Sequence, residues 1–171
     1  AFRLNANLLS NIEQMGFRKP TDIQYKAIRP ILDGDDVLAI AQTGTGKTAA
    51  FAIPSIDILM RRPRREGYNG VRCIIMEPTH ELAHQVGEVI ERLANNSGLS
   101  VLAIYGGVDQ APQIAKLQRT VDILIATPGR LFDLASQGYL RTTGCEILVL
   151  DEADHMLDLG FIDDIRQLIK F

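Results

Sequence analysis

Lys47 and Thr48 close the run Ala41-Gln42-Thr43-Gly44-Thr45-Gly46-Lys47-Thr48, which follows the apolar stretch Val37 to Ile40 and precedes Ala49-Ala50-Phe51. A short buried strand that turns through glycines into a helix leaves backbone N–H groups without partners, aimed at one spot. Anions collect there. Gly44 and Gly46 let the backbone curl around phosphate oxygens, Lys47 can reach terminal phosphates, and the Thr48 hydroxyl can ligate Mg²⁺. The pattern G-x-x-x-x-G-K-[ST] is met except at Ala41, where a glycine is usual and a residue nearly as small stands. The competing reading is a Gly/Thr turn that only begins a structural helix. A second group of chemical residues is Asp151-Glu152-Ala153-Asp154, directly after the apolar run Glu146 to Leu150. With a phosphate cradle present, Asp151 is placed to hold Mg²⁺ through water, and Glu152 to orient or deprotonate an attacking water. By itself the same run could be an acidic helix start that suits the helix dipole.

The elements that must position these groups follow from apolar periodicity. Leu8, Leu9, Ile12 and Met15 predict a helix over 4–15 that Gly16 stops, and Thr21 or Asp22 opens a second helix carrying Ile23, Ala27, Ile28 and Ile31. Val37 to Ala41 is the expected first strand, and Lys47 to Met60 a helix with Pro54 as a possible kink. Further strands are expected over 71–77, 99–105, 121–126 and 146–150. Helices are expected over 81–93, 110–117, 129–135 and 160–171. Strands apolar at every position and separated by helices predict an α/β fold, a parallel β-sheet with helices on both faces. Ligands of such sheets sit beyond the carboxyl ends of the strands, where both groups of residues fall.

The 171 residues suit one domain. Eighteen Lys and Arg against 21 Asp and Glu give a formal net charge of -3, which argues against binding nucleic acid through bulk positive charge and leaves a localised phosphate site open. The basic run Arg61 to Gly70 reads as a solvated surface connection. Cys73 and Cys145 lie in apolar runs and read as buried thiols of a reducing compartment, not as a disulfide or zinc site. No apolar run approaches the length of a membrane span, so a soluble, cytoplasmic protein without membrane contact is expected.

Six segments taken together resemble the DEAD-box RNA helicases: Phe17 to Gln24, Ala41 to Thr48, Pro78-Thr79-His80-Glu81-Leu82-Ala83, Gly106-Gly107, Thr127-Pro128-Gly129-Arg130 and Asp151 to Asp154. Order and spacing fit over almost the whole chain. The resemblance implies the N-terminal RecA-like, P-loop NTPase domain of such an enzyme over 1–171, with an adenine-reading segment within 1–34 and ATP and Mg²⁺ as ligands. It makes Lys47, Asp151 and Glu152 catalytic and Thr48 and Asp151 metal-holding. Phe17 and Gln24 would join Ala41, Gln42, Thr43, Gly44, Thr45, Gly46, Lys47 and Thr48 at the nucleotide, Gln24 reading the adenine edge and Phe17 packing on the ring. Read without the resemblance, Phe17 is a core aromatic and Gln24 a solvated helix residue.

The resemblance also implies an RNA track formed by Pro78, Thr79, His80, Gly106, Gly107, Thr127, Pro128, Gly129 and Arg130. Backbone N–H groups at glycine pairs and helix starts, a Thr hydroxyl and an Arg can grip successive phosphates of one strand without reading its bases. Each segment alone is ordinary turn or cap material. The family usually has Arg where His80 stands, so weaker and more pH-sensitive RNA binding is expected, while His84 and His155 read as surface helix residues. The implied function is RNA-stimulated ATP hydrolysis that remodels RNA; a nucleotide-gated clamp or scaffold and a DNA-directed ATPase are the alternatives. No Ser-Ala-Thr segment follows Asp154, and a second RecA-like domain, the implied partner within a longer chain, is absent from these residues. Poor hydrolysis by this segment alone is therefore expected.

Overall fold

The computed structural model describes residues 2–170. In chain order the elements are α1 (Ala6–Gln14), α2 (Asp22–Asp33), α3 (Lys47–Arg61), β1 (Cys73–Met76), α4 (His80–Leu93) and β2 (Val101–Ile104), then α5 (Ala111–Leu117), β3 (Ile123–Ala126), α6 (Pro128–Ser136), β4 (Ile147–Leu150), α7 (Ala153–Asp158) and α8 (Ile162–Ile169). They form two compact units, one of residues up to 64 with 88–99, the other of residues 65–87 with those from 100 onward.

In the first unit α2 packs along α3, burying Ala27 and Ile28 on one helix and Ala49, Ala50 and Ile53 on the other. The Asn5 side chain accepts a hydrogen bond from Asn7 N and so caps α1. Asn5 N itself donates to the buried Asp57 carboxylate at 2.7 Å, and Asp57 also accepts from Arg61 Nε at 2.6 Å. A charge in α3 thereby anchors the entry to α1. Asn11 Nδ2 donates to Leu93 O and Asn95 O, both at 2.8 Å, which satisfies carbonyls at the end of α4 that have no helical partner. Pro54 lies inside α3 without interrupting it.

The second unit is a four-stranded parallel sheet in the order β2-β3-β1-β4, with Cys73 level with both Ile123 and Ile147. Each strand is apolar throughout; β1 and β3 are buried along their whole length, while Leu148 of the edge strand β4 is exposed. On one face Ile74, Met76, Leu102, Ile104, Leu124 and Ala126 cluster with Leu131 and Leu134 of α6, Met156 of α7 and Ile165 and Leu168 of α8. The other face holds Ala103, and a Cβ on Gly87 of α4 would stand only 3.2 Å from the Ala103 methyl, so the lack of a side chain lets that helix close onto the strand. This is a RecA-like P-loop NTPase architecture.

The amino ends of the strands are joined by side chains that periodicity alone does not expose. Arg72, Asp122, Glu146 and Ser100 each stand immediately before a strand. Arg72 is 3% exposed, its Nε lies 2.7 Å from Glu146 Oε1 and its Nη1 3.8 Å from Asp122 Oδ1. Asp122 Oδ2 in turn accepts from Ser100 N at 2.9 Å and from its hydroxyl at 3.1 Å. All four strands are thus stitched at the end opposite the functional rim.

The expected strand over 37–41 is not formed. Leu38 is 91% and Ile40 89% exposed, and the segment pairs with none of the four strands. An apolar run becomes a strand only where a neighbour completes its hydrogen-bond ladder, and none does here. The other strands are shorter than expected, although backbone hydrogen bonds continue past the ends of β1, from Arg72 N to Asp122 O and from Glu77 N to Ala126 O, both at 3.0 Å. A separate short helix, α7, follows Glu152 where only a helix start was foreseen. Cys73 is buried and Cys145 partly so, and neither is bonded to another cysteine. Burial pushes the Cys73 thiol far above its usual range, with Cys145 and Glu146 adding to the rise. Burial also raises Cys145, against opposing backbone hydrogen bonds. Among the described residues no helix is long and apolar enough to cross a membrane.

Candidate functional site

In the first unit the segment 41–48 turns into α3 through Gly44 and Gly46, whose φ values of +81° and +89° lie in the left-handed region. Gly46 is the N-cap of α3, so the first N–H groups of that helix have no intrahelical acceptor and open toward the loop. Thr45 Oγ1 donates to Gln42 O at 2.7 Å and braces the turn from inside. Gln24 is buried against this loop, its Nε2 donating to Gly46 O at 3.1 Å and its Oε1 accepting from Thr21 N at 3.0 Å. Thr21 Oγ1 donates to Thr45 O at 2.9 Å. The structure therefore brings the adenine-segment residues Thr21 and Gln24 onto the cradle, where Gln24 grips backbone. It is not the solvated helix residue that the sequence alone suggests. Phe17 is exposed, not a core aromatic.

This cradle fits the phosphates of a nucleotide. A Cβ on Gly44 would meet nothing within 4 Å, while one on Gly46 would collide with Gln24 Nε2 at 2.5 Å. The Thr48 hydroxyl makes no hydrogen bond to any described residue, which leaves it available to a cation. No group of three His, Cys, Asp or Glu that could hold a metal occurs among the described residues.

In the second unit β1, β2, β3 and β4 run parallel, so Pro78, Gly106, Thr127 and Asp151 all follow the same, carboxyl rim of the sheet. A cavity there is lined by Pro78, His80, Gly106, Thr127, Gly129 and Arg130, with Asp133 and Phe161 at its side. Gly106 and Gly107 make no backbone hydrogen bond to a described residue, and a Cβ on either, or on Gly129, would meet nothing within 4 Å. Thr127 is the N-cap of α6 with its hydroxyl free of any cap bond, and Pro128 opens the helix. Gly106, the Thr127 hydroxyl and the start of α6 thus line one hollow together with Arg130 and the Asp133 carboxylate. Thr79 is different, because its hydroxyl accepts from Leu82 N at 3.3 Å and caps α4. His80 is exposed and stacks on Tyr105 with ring centroids 3.9 Å apart and 17° between planes. Arg130 donates from Nη1 to Gln113 Oε1 at 3.0 Å and from Nη2 to Val108 O at 2.9 Å.

At the end of β4, Asp151 N donates to Met76 O at 3.1 Å and prolongs the ladder by one residue. Asp151 Oδ1 accepts from Glu152 N at 2.9 Å. Glu152 has φ +48° and ψ +47°, a left-handed conformation that costs a residue with a Cβ about 1–2 kcal/mol. Such strain gathers at functional sites. His155 Nδ1 lies 3.8 Å from Glu152 Oε2, and its side chain, 44% exposed on α7, is the surface helix residue expected. Sequence reasoning missed Gln113 altogether; a single glutamine in a short helix carries no signal of what it holds.

Residues 21–171 match the family model of the DEAD/DEAH box helicases. The chain is 43% identical over 169 residues to the ATP-dependent RNA helicase CshA of Listeria monocytogenes, covering 99% of this chain and 32% of that protein. It is also 43% identical over 163 residues to the ATP-dependent RNA helicase DBP2 of Mycosarcoma maydis, covering 95% and 30%. The chain spans about a third of the length of these relatives. A crystal structure of a hypothetical ATP-dependent RNA helicase from Sulfolobus tokodaii superposes with a TM-score of 0.87 at 37% identity, over 98% of this chain and 47% of that one.

Proposed function

Because the chain belongs to the DEAD/DEAH box helicase family, we propose that this ATP-binding domain couples RNA held on the carboxyl rim of its sheet to hydrolysis of ATP held at Ala41 to Thr48. The observation that carries the reading is the shared hollow of the second unit, which residues following β1, β2 and β3 line together: Pro78 and His80, Gly106, and Thr127, Gly129 and Arg130. Donors on such segments suit phosphates, and they account for RNA binding by a chain of net charge -3.

At the nucleotide, Lys47 and the backbone N–H groups at the start of α3 hold phosphate, the Thr48 hydroxyl serves Mg²⁺, and Gln24 reads adenine. Mg²⁺, when bound, neutralises phosphate charge that would otherwise build up during transfer. Glu152 orients the attacking water and receives its proton, standing at the start of α7 with left-handed backbone. A second RecA-like domain in a longer chain is the proposed partner, and the cytoplasm the proposed compartment.

The test compares single-stranded RNA and DNA of equal sequence. The chain is expected to bind RNA more tightly, because a 2′-OH contact separates the two, with affinity that falls as salt rises. Glu152→Gln is expected to keep Mg-ATP binding and lose RNA-stimulated hydrolysis. Equal affinity for DNA, or hydrolysis undiminished by the substitution, would refute the reading.

A further inference from the structure

The strand order places β2 at an edge of the sheet. Ile104 O still faces β3, since Thr127 N donates to it at 3.2 Å. Successive residues of an extended chain point their N–H and C=O groups in opposite directions, so the backbone of Tyr105 faces outward, where no strand lies. Gln113 of α5 fills that place. Tyr105 N donates to Gln113 Oε1 at 3.3 Å and Gln113 Nε2 donates to Tyr105 O at 3.2 Å. One primary amide thereby imitates the peptide of a missing neighbour strand, which only a side chain with an adjacent donor and acceptor can do.

The same Oε1 accepts from Arg130 Nη1 at 3.0 Å, and Arg130 Nη2 donates to Val108 O at 2.9 Å. Tyr105 and Val108 flank Gly106 and Gly107. Both ends of the glycine turn are therefore tied down by side chains of α5 and α6, while Gly106 and Gly107 themselves make no hydrogen bond to a described residue and Gly107 stands at φ +78°. A glycine pair with open space around it has no stiffness of its own. Gln113 is only 8% exposed, and the two terminal nitrogens of Arg130 are already engaged.

We propose that Gln113 is a positioning residue of the RNA track: with Arg130 it clamps both ends of the Gly106–Gly107 turn and aims the backbone donors of that turn into the hollow. Arg130 then serves the track as the second half of this clamp, through Val108, more than as a phosphate ligand. The inference rests on the RNA reading of the hollow for its consequence, though not for its geometry.

The experiment uses Gln113→Met, which keeps the length and removes both hydrogen-bonding atoms, and Gln113→Glu, which keeps the acceptor for Arg130 and Tyr105 N but loses the donor to Tyr105 O. Affinity for a single-stranded RNA is measured over a range of salt, beside affinity for a fluorescent nucleotide and the NMR amide shifts of Gly106 and Gly107. Gln113→Met is expected to weaken RNA binding about tenfold and to flatten its salt dependence by about one phosphate contact, with nucleotide affinity unchanged. Gln113→Glu should fall between it and the parent. The Gly106 and Gly107 amide signals should move in Gln113→Met. If those signals stay in place, or if RNA and nucleotide affinity decline together with no change in salt slope, the clamp is overturned. A parent chain that binds no RNA would refute the RNA reading instead, and the glycine shifts would still decide the clamp.

Discussion

A methyl group placed on Gly46 would meet Gln24 Nε2 at 2.5 Å and would have to adopt φ +89°. Both faults fall on the loop that receives phosphate. Gly46→Ala is expected to destabilise the protein by about 1–3 kcal/mol and to lower nucleotide affinity at least tenfold. Gly44→Ala, strained at φ +81° but with nothing within 4 Å, should be milder in thermal melting. A Gly46→Ala protein that melts and titrates with nucleotide like the parent would contradict this account. His80 raises a different question at the same scale. Its imidazole is exposed, stacks on Tyr105 and makes no hydrogen bond to a described residue, so its ring N–H groups remain available to phosphate. An imidazole offers fewer donors than a guanidinium, so His80→Arg should raise RNA affinity at matched salt; an unchanged affinity would sink the idea. Residue types were fully legible in the sequence, but the partners of Gln24, Arg130 and Gln113 were not. Nor was the left-handed conformation of Glu152, since the residue type gives no hint of a positive φ.

Helices and strands were the easiest elements to read, because their periods are local. Four of the five expected strands form, each trimmed by up to three residues, and the strand over 37–41 fails for want of a neighbour. The stitch before the strands is the feature that local reading could not reach. Arg72, Asp122 and Glu146 fall within expected strands without any signal that they pair, yet they meet because parallel register brings the starts of β1, β3 and β4 level. Arg72→Ala removes a buried guanidinium from between two carboxylates and is expected to cost about 3 kcal/mol. The measurement is a urea unfolding midpoint, and a loss below about 1 kcal/mol would show that the stitch carries little of the stability.

For the molecule as a whole, the expectation is a chain that binds nucleotide weakly and turns it over slowly. Relatives about three times as long align with it over this one region, and charge stabilisation from an arginine outside the domain is commonly worth about 10³–10⁵ in rate. A steady-state ATPase assay with saturating RNA checks this, and a rate equal to that of a full-length relative would refute it. The sequence by itself determined the α/β class, the parallel sheet and the six segments that mark the family, because each rests on residue types at short spacing or on a period of two or 3.6. Only the tertiary structure decided which polar groups meet: that Gln24 holds the Gly46 carbonyl, that Gln113 stands in for a strand beside Tyr105, and that residues 37–40 lie unpaired. A hydrogen bond or a ladder needs a partner at about 3 Å, and for these groups that partner comes from another element, brought near only when the elements pack.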